Sequence, residues 1–233
     1  FVSHEVANPL TPVKFQIALL RNEFVQLGAK PPEKNFEILS RNVARLDLLT
    51  KDVLDLARLD VGRLAIVPFP VDLAQLARDA VNAYEPQAEH KGIKVELHPA
   101  PETIVEADPR RIGQIIDNLL SNALKFTSRG GRIDVRVEIG PHESGVRVKD
   151  SGVGLTSQQI EGLFHPFAQV HQDASDRAFA GHGLGLFLSQ QIAQLHGGRL
   201  TAVSEGEGKG AEFAVWLPRV RATDGNRSST ALG

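Results

Sequence analysis

Apolar residues near the start of the chain recur at alternating steps of four and three. Val6, Leu10, Val13, Ile17, Leu20, Phe24 and Leu27 make one such row, the period of a coiled-coil seam. Gly28-Ala29-Lys30-Pro31-Pro32 interrupts it. Phe36, Leu39, Val43, Leu46, Leu49, Val53 and Leu56 then make a second row. Two helices joined by a short loop predict an antiparallel hairpin. One hairpin cannot cover both seams, so two hairpins are expected to pair as a dimeric four-helix bundle.

From Val61 to Val71 the pattern lapses around Gly62, Pro68 and Pro70, which reads as a linker. Mixed periodicity follows. Asp72 to Glu89 fits a helix with Asp72 as its N-cap. Ile93 to Leu97 and Thr103 to Glu106 are short strand candidates. Asp108-Pro109 opens a helix with a capping carboxylate and a first-turn proline, whose apolar face runs through Ile112, Ile115, Ile116, Leu119, Ala123 and Phe126. Arg132 to Ile139 alternates as a strand, and Gly145 to Lys149 does so more briefly. Thr156 with Gln159 makes a capping box. Gln172 to Gly183 is polar and loop-like. A helix from about Leu184 to Leu195 stops at Gly197-Gly198. Strands near Arg199 to Val203 and Ala211 to Leu217 form a hairpin across a glycine-rich turn. The fold class is therefore α+β: a helical hairpin over residues 1–62, a linker over 63–70, a mixed sheet with helices on one face over 71–218, and a polar tail over 219–233.

Composition narrows the functions. Hydrophobic residues are 42% and charged residues 23% of the chain, enough apolar material for a core. A net charge of −2 gives no nucleic-acid footprint. With no cysteine, disulfides, thiolate metal sites and Cys nucleophiles are excluded. No apolar run approaches the roughly 20 residues of a membrane helix. The chain has no Met and opens mid-pattern at Phe1-Val2-Ser3-His4. It reads as an excised piece of cytoplasmic location, with any sensor domain or membrane anchor lying outside it.

Four clusters carry candidate chemistry. His4 lies off the first seam, beside Glu5 and one turn from Asn8. An exposed imidazole can attack through one nitrogen while a neighbouring carboxylate takes the proton from the other, and Pro9 and Pro12 would make the local helix easier to deform. Asn118 and Asn122 are four apart, so their amides share a helix face. Amide oxygens are hard ligands suited to Mg²⁺, and Lys125 could reach a phosphate. Asp150-Ser151-Gly152-Val153-Gly154 follows a strand: the carboxylate could accept a hydrogen bond from an exocyclic amine, and the glycines permit close approach to a flat ring. Gly181-His182-Gly183-Leu184-Gly185-Leu186 precedes a helix, where backbone N–H groups can cradle phosphates. Taken singly, each has an ordinary structural reading: a surface histidine, two solvated amides, a strand-to-helix turn, a glycine triplet.

Their order is more telling. Ser3-His4-Glu5-Val6-Ala7-Asn8-Pro9-Leu10-Thr11 resembles the phospho-acceptor box of sensor histidine kinases, departing at Ala7, where many members carry a basic residue. The asparagine helix, Asp-x-Gly-x-Gly, Leu163-Phe164-His165-Pro166-Phe167, a lid loop and Gly-x-Gly-Leu-Gly then resemble, in sequence, the ATP-binding module shared by histidine kinases, DNA gyrase, mismatch-repair ATPases and the large heat-shock chaperones. The resemblance covers residues 1 to about 218. It implies His4 as the phosphorylated residue, Glu5 as proton acceptor, and Asn8 as the holder of water for dephosphorylating the partner. It also implies Asp150 at the adenine amine, with Gly152 and Gly154 beside it. Asn122, helped by Asn118, would hold Mg²⁺. Gly181, Gly183, Leu184 and Gly185 would line the phosphates, Phe167 would anchor the lid, and Arg177 and His182 would reach from it. Glu212 stands where many members have a small hydroxyl residue near the adenine.

The implied function uses ATP and Mg²⁺: a homodimer autophosphorylates on His4 and passes the phosphoryl group to an Asp of a response regulator receiver domain, with a phosphatase activity besides. A different ATPase of the same fold is the second reading. It leaves the His-Glu box unused and lacks a carboxylate four residues before Asn122, where Asn118 stands. A non-enzymatic dimeric scaffold is the third.

Overall fold

The computed structural model describes residues 10–168 and 183–219. The chain divides into two compact units, Phe1–Ala65 and Ile66–Gly233.

In the first unit α1 (Leu10–Gln26) and α2 (Glu33–Asp60) form the expected hairpin. Phe24 meets Phe36 edge-on, with ring centroids 6.0 Å apart. Lys14 Nζ reaches Asp47 Oδ2 across the pair at 2.7 Å, and Lys51 approaches the same oxygen at 3.3 Å. The hydrogen bond from Lys14 leads the effects that hold the Asp47 carboxyl below its ordinary range. The hairpin uses little of its seams. No residue of α1 is buried, and Leu20, Leu39, Leu46 and Val53 all remain about half exposed. Only Phe36 and Val43 of the second row are buried.

The second unit is a five-stranded sheet in the order β2-β4-β5-β7-β6 with three helices packed on it. Its strands are β2 (Lys94–Leu97), β4 (Arg132–Ile139), β5 (Glu143–Asp150), β6 (Arg199–Val203) and β7 (Glu212–Pro218). Only β2 and β4 run parallel. The helices are α3 (Leu73–Lys91), α4 (Pro109–Phe126) and α6 (Gly185–Leu195), with the short α5 (Ser157–Gly162) between the last two. Register explains the layering. Val135 pairs with Val148 and Val148 with Phe213, while Val146 pairs with Val215 and Val215 with Leu200. One sheet face is thus apolar, and α4 covers it with Ile112, Ile115, Ile116, Leu119 and Leu120, none of them exposed. The other face is charged, with Arg147 paired to Glu138 at 2.7 Å and to Glu212 at 3.1 Å.

The helix starts follow local chemistry. Asp72 caps α3 through Ala74 N–H at 3.0 Å. Asp108 caps α4 through the N–H groups of Arg110 and Arg111, at 3.0 and 3.2 Å. Burial pushes the Asp108 carboxyl up, but backbone donors from Val67, Arg111 and Arg110 outweigh it and hold the group below its ordinary value. Thr156 and Gln159 form the capping box of α5.

The linker reading needs one correction. Phe69–Asp72 is a strand, β1, paired antiparallel with β3 (Ile104–Ala107). Pro68 and Pro70 suggested irregular backbone, yet a two-stranded ribbon is all edge, where a residue without an N–H is tolerated. Phe126, expected on the core face of α4, is only half buried, and Lys125 Nζ sits over its ring, 4.5 Å from the centroid.

Candidate nucleotide-binding site

Asp150 ends β5 on the helix-facing side, opposite Ile133, and is 6% exposed. Its Oδ1 accepts the N–H of Gly152 at 2.8 Å and of Ala211 at 3.3 Å. Neither bond ends on Oδ2. Burial pushes this carboxyl above its ordinary range, and the two N–H donors act against that shift.

The turn after Asp150 is held by backbone on two sides. On one side, Val153 N–H donates to Phe126 O at 3.3 Å, and a Cβ on Gly152 would strike that same carbonyl. On the other lies the turn between β6 and β7. Gly208 N–H donates to Val153 O at 2.6 Å and Gly210 N–H to Gly152 O at 3.1 Å. Gly154 has φ +69°, and a Cβ there would collide with Gly206 O. Both the left-handed backbone and the close approach require glycine. Ser204 closes the arrangement: its Oγ accepts Leu155 N–H at 3.0 Å and donates to Gly210 O at 2.6 Å.

The glycines before α6 meet the same helix, α4, further up. Gly185 lies against the carboxamide of Asn118, so that a Cβ would land on Asn118 Oδ1. Asn118 Nδ2 donates to Ser189 Oγ of α6 at 3.0 Å, and Asn122 Nδ2 donates to Asn118 Oδ1 at 3.4 Å. Asn118, Asn122 and Phe126 are spaced at four, one stripe of the helix. Gly185 touches its upper end and Gly152 its lower end, about 12 Å apart at 1.5 Å per residue. Asn122 stands midway.

Gly183 lies against Phe167 and Ala168. Gly183 has φ +68°, and a Cβ on it would lie 2.6 Å from Ala168 O. Phe167 itself has φ 63° and is 64% exposed; a left-handed bulky residue is a strained one. Leu184 is fully buried ahead of α6, so its side chain belongs to the core and only its backbone can face a ligand. His4, Glu5, Asn8, Arg177, Gly181 and His182 lie outside the described residues.

Glu212 resolves simply. It turns to the outer sheet face and pairs with Arg147, while the preceding Ala211 serves Asp150 through its backbone N–H. Sequence reasoning singled out neither Ala211, Ser189 nor Ser204. A backbone donor has no residue signature, and each serine finds its partner far away in the chain.

Such a sandwich, with an asparagine helix between a buried Asp turn and a glycine-rich helix start, defines an ATP-binding domain. Residues 107–221 match the family described as Histidine kinase-, DNA gyrase B-, and HSP90-like ATPase, and residues 1–62 match the His Kinase A (phospho-acceptor) domain. The chain belongs to the sensor histidine kinases. It is 34% identical over 221 residues to the circadian input-output histidine kinase CikA of Synechococcus elongatus, covering 93% of this chain and 29% of that protein. It is 34% identical over 218 residues to the alginate biosynthesis sensor protein KinB of Pseudomonas aeruginosa, covering 93% and 36%. The chain thus spans well under half the length of these relatives. Full-length ShkA in complex with AMPPNP superposes with a TM-score of 0.72 at 29% identity, over 93% of this chain and 44% of that one. The catalytic domain of ThkA superposes with a TM-score of 0.57 at 26% identity, over 66% and 98%. Among the described residues no helix is long and apolar enough to cross a membrane.

Proposed function

We propose that this chain is the kinase core of a two-component sensor, transferring the γ-phosphoryl group of ATP to His4. The observation that carries the reading is the α4 stripe, which meets the Asp150 turn at Phe126 and the Gly185 turn at Asn118, with Asn122 between them. Asp150 Oδ2 accepts the adenine amine. Gly183 and Gly185 bring backbone N–H groups to the phosphates at the start of α6, and Arg177, Gly181 and His182 complete that end; Lys125, expected at a phosphate, instead sits over the Phe126 ring at the Asp150 end of the stripe.

The amide pair suits Mg²⁺. Among the described residues no group of three His, Cys, Asp or Glu side chains could hold a metal, and Mg²⁺ bound with phosphates takes few protein ligands, oxygen by preference. Asn122 Oδ1 would be the ligand here, with Asn118 behind it. Bound there, the ion would offset charge on the phosphate oxygens.

A ring nitrogen of His4 attacks the γ-phosphorus. The bond to the bridging oxygen breaks, ADP leaves, and Glu5 takes the proton from the other ring nitrogen. The phosphohistidine then gives its phosphoryl group to an Asp carboxylate of a response regulator. Two copies of the hairpin join as a four-helix bundle, covering the open seam of α1. Asn118 also argues against a water-activating ATPase: its amide is committed to Ser189 and Asn122, and an amide is no general base.

The test uses ATP labelled at the γ position. Acid-labile label on the protein, lost in His4→Ala while ATP binding stays within about twofold, is the expected result. Label retained by His4→Ala would remove His4 as the acceptor, and free phosphate alone would make the chain a hydrolase.

A further inference from the structure

We infer that Ser204 is a positioning residue for the carboxylate that meets the adenine amine: its hydroxyl fixes the peptide between Gly210 and Ala211, whose N–H holds Asp150. This rests on the nucleotide site proposed above. Ser204 directly follows β6, and Gly210 and Ala211 directly precede β7. The hydroxyl meets four backbone groups, and each of those can play one part only. The N–H groups of Leu155 at 3.0 Å and Gly206 at 3.3 Å can only donate to Oγ. The carbonyls of Gly210 at 2.6 Å and Gly206 at 3.3 Å can only accept from it. A hydroxyl has one proton and two lone pairs. The two N–H groups take the lone pairs, and the proton goes to the nearer carbonyl, Gly210 O.

That carbonyl belongs to the same peptide unit as the Ala211 N–H. The unit is planar, so its oxygen and its hydrogen point in opposite directions. With the oxygen held at Ser204, the N–H is aimed at Asp150 Oδ1, 3.3 Å away. A donor on the oxygen also polarises the peptide and strengthens its N–H. This N–H is one of the two donors that act against burial at the Asp150 carboxyl. The flanking groups are held separately: Gly210 N–H donates to Gly152 O at 3.1 Å, and Ala211 O accepts Asp150 N–H at 2.8 Å. The peptide between them can therefore turn only in place. Gly210 has φ +72°, and a Cβ there would strike Asp150 O; glycine leaves both settings of the peptide open. Without the Ser204 hydroxyl, the reversed setting brings Gly210 O toward the carboxylate in place of an N–H. Asp150 then keeps only the N–H of Gly152. Its carboxyl turns about a soft terminal torsion, and Oδ2 no longer meets the adenine amine in a fixed direction.

Calorimetric titration with ADP, and with its analogue lacking the 6-amino group, separates this role from simple packing. Wild type, Ser204→Ala, Ser204→Thr and Asp150→Asn are compared by their preference for ADP over the analogue. Binding of the analogue reports that the site is folded. Ser204→Ala should bind the analogue within about twofold of wild type and lose about five- to tenfold of the preference for ADP, the worth of one oriented hydrogen bond. Ser204→Thr keeps the hydroxyl and should keep the preference. Asp150→Asn should lose at least as much as Ser204→Ala. A full preference in Ser204→Ala beside a lost one in Asp150→Asn overturns the role of Ser204 alone. Equal losses for both nucleotides in Ser204→Ala also overturn it, since a packing defect does not read the amine. A lost preference in Ser204→Thr does the same, because the hydroxyl is still there. A full preference in Asp150→Asn removes Asp150 from the adenine amine and this inference with it.

Discussion

His196, just past the end of α6, accepts the N–H of Asp108, the cap of α4, on Nε2 at 3.0 Å. Its Nδ1 lies 2.8 Å from Ile192 O, so the ring carries its proton on Nδ1 and its lone pair on Nε2. The glycine helix and the asparagine helix are therefore tied at two places, here and at Ser189–Asn118.

The first prediction follows from that tie. His196 is 8% exposed, and removing its ring leaves the buried Asp108 N–H without an acceptor. Such a group costs about 1–3 kcal/mol. His196→Ala should lower the stability of the second unit by that amount, read as a lower urea midpoint at unchanged slope. A midpoint equal to wild type would mean that water or a side-chain shift replaces the bond at no cost.

What the chain revealed in advance, and what it concealed, divides on the range of the interactions. Helices with long apolar periods, caps such as Asp108 and the capping box at Thr156 were legible, because each is decided within a few residues. The Asp150 turn and the Gly185 turn were legible as a set, because glycine spacing marks close backbone approach. His196, Ser189 and Ser204 were not. Each is one ordinary polar residue whose meaning depends on a partner brought near only by the sheet. The start of the ribbon strand, Phe69 and Pro70, fell within the linker for the same reason: the pairing with Ile104–Ala107 is non-local, and Pro68 and Pro70 argued locally against a strand. Asn118 was legible as one of two amides sharing a helix face, but its bond to Ser189 of α6, which makes it a brace, was not.

The second prediction concerns Asp150. Burial holds its carboxyl above the ordinary range, so the folded chain binds this proton more readily than the unfolded one. Stability attached to the protonated form is lost as pH rises through the raised pKa. At neutral pH the ionised carboxylate is thus a cost to the nucleotide-free protein. Asp150→Asn keeps an oxygen for Gly152 and Ala211 and removes the charge, so it should raise the melting temperature. The same change replaces Oδ2 by a donor and should weaken ATP binding about ten- to a hundredfold, since a hydrogen bond to a charged group is worth about 1.5–3 kcal/mol. In wild type, ATP affinity should begin to fall at a pH above that of an ordinary carboxylate. Unchanged affinity by calorimetry would take Asp150 out of the site, and a lowered melting temperature would reverse the assigned sign of its burial.

The last prediction separates the two activities proposed for the first unit. Asn8 is four residues after His4, so a helix through both puts them on one face. An amide can hold a water by hydrogen bonds without acting as a base, whereas Glu5 serves the proton of the histidine itself. Asn8→Ala should therefore lose dephosphorylation of a phosphorylated response regulator while keeping most autophosphorylation. The opposing account is that Asn8 matters only through Pro9, by favouring a bend in the helix. A change in that bend would alter the geometry of His4 for both reactions at once. The measurement pairs a time course of autophosphorylation with loss of phosphate from the regulator's aspartate, with and without ADP. A selective loss of the second supports a bifunctional enzyme in which Asn8 holds the water. Parallel losses assign Asn8 to helix shape and leave the phosphatase without its residue.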